Sequence, residues 1–185
     1  MNTEISRLRQ EHVNFRKLLD LLEEQLDLFH RGESPNYQLM TDILHYMINY
    51  PDRFHHPRED AIFACLVKRN SGTAQSVEEL ARQHHVIAES GARLHENLEN
   101  TINGALMPRQ MIEAPGLLYV TYYRRHMEKE ENDLFGLAEQ LLRDDDWEQV
   151  NTGARLEPDP IFGAGVEDRY CALCGHVSKM NGGVS

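Results

Sequence analysis

Apolar residues recur at helical spacing in four long stretches. In residues 3–30 the recurring positions are Leu8, Val13 or Phe15, Leu18, Leu19, Leu22, Leu26 and Phe29. Gly32, Ser34 and Pro35 then interrupt the pattern, and Ser34-Pro35 reads as a helix cap and first helical position. A second segment runs to about residue 69, with Leu39, Ile43, Tyr46, Met47, Phe54, Ile62, Phe63 and Leu66 on its apolar face. It contains Pro51 and Pro57, each able to start or kink a helix, so a break is expected there. Asn70-Ser71-Gly72-Thr73 reads as a loop, and Ser76 with Glu79 as a capping box opening a third helix over about 74–103. The fourth segment starts between 108 and 116 and ends near 143, carrying Leu118, Tyr119, Tyr122, Tyr123, Leu134, Leu137, Leu141 and Leu142. No stretch alternates as a strand would. These segments and their short connections predict an all-α, up-down-up-down four-helix bundle over residues 1–145. Residues 146–185, with Pro158, Pro160, Gly163 and Gly165, read as an irregular C-terminal extension with a short helix at about 166–178.

Composition narrows the classes of function. The 185 residues carry 19 Lys and Arg against 30 Asp and Glu, a formal net charge of −11. That balance argues against nucleic-acid binding, which favours a basic stripe. No apolar run approaches the ~20 residues of a membrane helix. The polar start, Met1-Asn2-Thr3-Glu4, does not resemble a secretion signal, and three cysteines do not form a disulfide framework. A cytoplasmic protein without a nucleic-acid or membrane partner is the expectation.

The ten histidines carry the chemistry. Arg9-Gln10-Glu11-His12-Val13 echoes Arg82-Gln83-His84-His85-Val86, and His55-x-x-x-Glu59 echoes His126-x-x-x-Glu130. Residues four apart share a helix face, so each His/Glu pair can address one point. In antiparallel helices, residues equidistant from the turn lie at one height. The midpoint of 12 and 57 falls at 34.5, that of 57 and 85 at 71, and that of 85 and 128 at 106.5, all on predicted turns. His12, His55, Glu59, His85, His126 and Glu130 are therefore expected in one layer. So many polar groups in an apolar core need a partner, and transition-metal ions supply one. Two carboxylates can bridge two ions while the histidines divide between them.

These motifs resemble the hemerythrin-like, or HHE cation-binding, family over about residues 1–145. The matching stretches are RQEHVNF around His12, FHHPRED with His55 and Glu59, RQHHVIA with His85, and RRHMEKEENDLF with His126 and Glu130; Asp159–Gly163 resembles an extension of some bacterial members. The resemblance implies a non-heme, oxo- or hydroxo-bridged di-iron centre. In it, His12, His55, His85 and His126 are terminal ligands and Glu59 and Glu130 bridge. It further implies binding of, or reaction with, dioxygen, nitric oxide or peroxide, in stress defence or iron handling, with a redox partner. Oxygen-carrying members have a fifth histidine in a His-x-x-x-His on the third helix, whereas Ala81 and Glu89 flank His85 at that spacing. The four-His, two-Glu set is closer to di-iron proteins of iron–sulfur cluster repair. A metal-holding module without turnover is the third reading.

His56, with Asp60 four residues on, and His84 remain rivals to His55 and His85. Glu89, one turn from His85, reads as a seventh ligand, an acceptor for an imidazole N–H or an exposed carboxylate, and Tyr122 as either pocket lining or core. His30, His45 and His95 are expected at the surface, and Glu128 and Glu131 in solvent. Cys171 and Cys174 with His176 read as packing residues of a short helix, because no second pair completes a zinc site. Cys65 reads as core.

Overall fold

The structure is a computed structural model that describes residues 3–182. Helix α1 spans Thr3–His30, α2 Tyr37–Asn49, α3 His56–Arg69, α4 Ala74–Ile102, α5 Glu113–Lys129, α6 Phe135–Leu141, α7 Asp144–Gly153 and α8 Cys171–Gly182. No strand occurs among the described residues, and no helix is long and apolar enough to cross a membrane. Helix α1 packs on α5 and α2, and α4 packs on α2, α3 and α5.

The predicted break in the second segment is a π-turn over Pro51–His55. Pro51 has no N–H to continue α2, and the carbonyl of Tyr46 takes its last bond from Tyr50 N–H. Pro57 follows the π-turn, in the first turn of α3. A second π-turn, Glu130–Leu134, joins α5 to α6. Each inserts an extra residue into its turn, and such bulges concentrate at functional sites.

Two helix starts differ from expectation. Asn36, not Ser34, caps α2, its side chain accepting from Leu39 N–H at 3.0 Å. Asn70 accepts from Gly72 N–H, and a 3-10 turn over Ser71–Thr73 leads into α4, so Ser76 lies inside the helix. Residues 144–153 are helical rather than irregular. Three aspartates open α7, where the helix dipole favours negative charge. Asp146 accepts from Arg143 N–H at 2.8 Å and takes both arms of Arg69.

The core is in two parts. One apolar cluster includes Phe15, Leu19, Leu22, Leu26, Met40, Ile43, Ile87, Leu94 and Val120. The other includes Ile5, Leu8, Ile62, Phe63, Leu66, Leu80, Leu134 and Phe135, and Cys65 lies within it as expected. The C-terminal segment contributes to both, with Ile161, Tyr170, Leu173 and Val177 in the first cluster and Val150 in the second. Between Leu8 and Phe15 on α1 comes His12, and the layer at that height is polar.

Candidate metal centre

In α1 the buried apolar stripe runs Ile5, Leu8, Phe15, Leu19, Leu22, Leu26, Phe29, and His12 occupies its one polar step. In α4 the stripe runs Leu80, His84, Ile87, Gly91, Leu94, Leu98. Both advance by alternating steps of three and four, which keep one face inward. His84 is therefore the inward histidine of α4. His85, about 100° further around, is exposed. The placement of His85 in the layer is corrected on this ground. The mirror argument locates heights along a helix and is blind to a one-residue rotation.

The π-turn before α3 brings two adjacent histidines inward. His55 faces α1, with Nε2 3.0 Å from His12 Nε2. His56 stacks on His84, with ring centroids 4.2 Å apart and planes at 14°. His126 on α5 completes a group of five imidazoles, all buried. The expectation counted four. Glu59 and Glu130, both 0% exposed, stand between them. Glu59 lies 3.1 Å from His55 Nε2, 3.3 Å from His12 Nε2 and 3.6 Å from His84 Nε2. Glu130 lies 3.3 Å from His126 Nε2, 3.4 Å from His84 Nε2 and 3.5 Å from His12 Nε2.

Behind the rings stands a second set of groups. Nδ1–H of His12 donates to Glu131 at 2.8 Å, of His55 to Glu11 at 2.6 Å, of His84 to Asp60 at 3.0 Å, and of His126 to Gln83 at 3.0 Å. His56 Nδ1 lies 3.1 Å from Asp52. In His12, His55, His84 and His126, acceptors at Nδ1 hold the imidazoles with Nε2 lone pairs turned inward. Those lone pairs meet carboxylate oxygens, which are also electron-rich. All four oxygens of Glu59 and Glu130, with Nε2 of His84 and His126, are buried without a hydrogen-bond partner. A cation placed among these converging acceptors would satisfy them. The donor set fits an ion of intermediate hardness, with nitrogen and carboxylate ligands together.

Among the described residues, two groups of ligand atoms lie close enough to hold an ion. One is His12, His55 and Glu59; the other is His56, Glu59, His84 and His126. Glu59 belongs to both.

The protonation states record the same crowding. Burial alone would lower His55, but Glu59 and Glu11 override it and push it up to about 10. Burial likewise opposes His12 and His84, and the carboxylates around them raise both. Burial and the neighbouring His84 hold His56 and His126 well below the usual imidazole range. Burial would raise Glu59, yet His55, His12 and His84 keep it ionised. Burial and the charge of Glu59 push Glu130 up to about 7. A cation would relieve this mixture of trapped protons and charges.

Other expectations fare unevenly. Glu131 is not in solvent, since it bridges His12 and Arg16. Glu128 is exposed, and so is Glu89, which pairs with Arg93 rather than any imidazole. It is Tyr123, not Tyr122, that reaches the layer, its hydroxyl 3.1 Å from His56 Nε2. His30 is exposed and pairs with Glu113. His45 and His95 are half-buried, with His45 Nδ1 2.9 Å from the Tyr170 hydroxyl. Counted from His84, His95 is eleven residues on, only about 20° off the inward face. The cysteines Cys171 and Cys174 are unpaired. Glu11, Asp60 and Gln83 accept from imidazoles distant in sequence, which no motif marks. Their signal was position, each one to four residues from a histidine, which is common on any helix.

A family model described as the hemerythrin HHE cation binding domain matches residues 3–138. No curated protein and no solved structure matches the chain.

Proposed function

The chain belongs to the hemerythrin HHE cation-binding family, and on that footing we propose that its polar layer holds two iron ions and takes a small ligand, dioxygen, nitric oxide or peroxide. The observation that carries the reading is the set of orphaned carboxylate oxygens facing imidazole nitrogens whose other nitrogens are tied back. His12 and His55 would hold one ion, and His84 and His126 the other. Glu59 and Glu130 lie between the two pairs and would bridge them. We read α1, α2–α3, α4 and α5–α6 as the four rods of an up-down-up-down bundle, the domain of 1–145, with 146–185 as a C-terminal extension.

Bound iron would supply electron transfer to the incoming ligand and an exchangeable coordination position. The chain's own contribution is geometric and electrostatic. Glu131, Glu11, Asp60 and Gln83 orient the imidazoles and make their Nε2 atoms better donors. The apolar clusters on either side exclude water and slow escape of a bound species. A role in oxidative or nitrosative stress or in iron handling, in the cytoplasm and with a redox partner, follows from this reading. Iron–sulfur cluster repair and metal storage without turnover are its neighbours.

The decisive experiment measures metal per chain together with the visible spectrum, before and after reduction. Two irons per chain, with charge-transfer bands that bleach on reduction, are expected. No metal, or a single zinc, after anaerobic iron reconstitution overturns the reading. Reactivity toward oxygen, peroxide and nitric oxide then separates carriage from turnover.

A further inference from the structure

His56 differs from the other four imidazoles. Its Nδ1 lies 3.1 Å from Asp52 Oδ1, an oxygen without a hydrogen bond, so Nδ1 faces a carboxylate and Nε2 is the nitrogen left for an ion. That Nε2 is already met by the hydroxyl of Tyr123 at 3.1 Å. No other histidine of the layer has a hydroxyl on its inward nitrogen among the described residues. Tyr123 is 1% exposed and wedged between Phe15, Tyr119 and His126, at ring distances of 6.5, 5.7 and 6.2 Å. Its hydroxyl is thus held in place, with His56 as its hydrogen-bond partner. Meanwhile His56 shares a potential ion site with Glu59, His84 and His126.

One in-plane lone pair on Nε2 can accept the Tyr123 O–H or bind an ion, but not both. We propose that Tyr123 is a positioning residue that holds His56 off the second ion as a reserve fifth imidazole, keeping one coordination position there open to an exogenous ligand. The tyrosine's own bond to His56 thereby sets how readily a small anion enters. This inference rests on the two-ion reading of the layer and adds to it the identity of the open position and the residue that guards it.

The test uses the full chain loaded with ferric iron, with azide as the probe. Iron content is measured on every sample, and azide affinity is read from the azide-to-iron absorption band. In Tyr123→Phe the freed His56 nitrogen should take the open position and lower azide affinity by about tenfold, the worth of one good hydrogen bond. Adding His56→Gln to Tyr123→Phe should restore affinity to within about threefold of wild type, a rescue that general loosening of the core would not produce. Tyr119→Phe, which removes a hydroxyl that does not face the layer's nitrogens, should leave the affinity unchanged. Wild-type affinity in an iron-loaded Tyr123→Phe protein overturns this inference alone. So does loss of iron from that variant, or a double variant that stays weak. A wild-type chain that holds no iron overturns the two-ion reading as well.

Discussion

His12 and His55 point Nε2 at Nε2 across 3.0 Å, while Glu131 and Glu11 hold their outer nitrogens at 2.8 and 2.6 Å. Two imidazole nitrogens at that separation can share at most one proton, so the pair is braced for a cation. The brace is testable. Glu11→Gln or Glu131→Gln keeps the shape and weakens the acceptor. Each should lower metal affinity by about 10- to 100-fold. Competition against a chromophoric chelator would measure this, and unchanged affinity in both variants would show that the outer carboxylates are incidental.

Neighbouring histidines on α4 give a sharper comparison. His84→Ala should remove about half of the bound metal or more, because its Nε2 approaches both Glu59 and Glu130. His85→Ala alters an exposed side chain and should change neither metal content nor spectrum. The reverse outcome would mean that α4 is rotated by one residue.

The two buried carboxylates, Glu59 and Glu130, should matter more for metal binding than any one imidazole. Glu59→Ala or Glu130→Ala removes contacts to several histidines at once. Each variant should lose more metal than a single histidine variant, with the loss read as ions per chain by elemental analysis. Full occupancy in either would contradict the bridging assignment.

Gly116 on α5 approaches α1 so closely that an added Cβ would stand 2.6 Å from Leu26 Cδ2. Leu26 is 0% exposed and packed in the first apolar cluster, so it must shift within the core. Gly116→Ala should destabilise the metal-free protein by about 1–3 kcal/mol. That corresponds to a melting temperature lower by about 2–4 °C per kcal/mol in a chain of this size. An unchanged melting temperature would show that α1 and α5 can separate at no cost.

The contact of His45 with Tyr170 ties the C-terminal segment to α2. Burial, helped by Arg169 and His95, lowers the pKa of His45 below its ordinary value. The folded state therefore resists protonation of His45 more than the unfolded chain does. Its contribution is fully present above the unfolded pKa, about 6.5, and is lost as pH falls toward the lowered folded value. Thermal melts from about pH 7.5 down to about pH 5 should show a steeper loss for the wild type than for His45→Gln. Parallel curves would remove His45 from the account.

Much of this protein was legible in its sequence because helices announce themselves locally. The spans of α1 and α4, the break at Pro51, and the inward placement of His12, His126, Glu59 and Glu130 all follow from periods of three and four and from proline chemistry. The family motifs are local as well. What remained open were rotations and reach. Choosing His84 over His85 turns on a 100° rotation, which is decided by which stripe of α4 meets the core. Admitting both His55 and His56 takes a π-turn, since regular helix geometry would turn one of them away. Glu131, Asp60 and Asp52 gain their roles only because the chain places each beside an imidazole nitrogen. Periodicity determined which residues form helices and at what height the polar layer lies. Tertiary packing decided which nitrogen faces which oxygen, because that choice is made between side chains distant in sequence, where no local pattern records it.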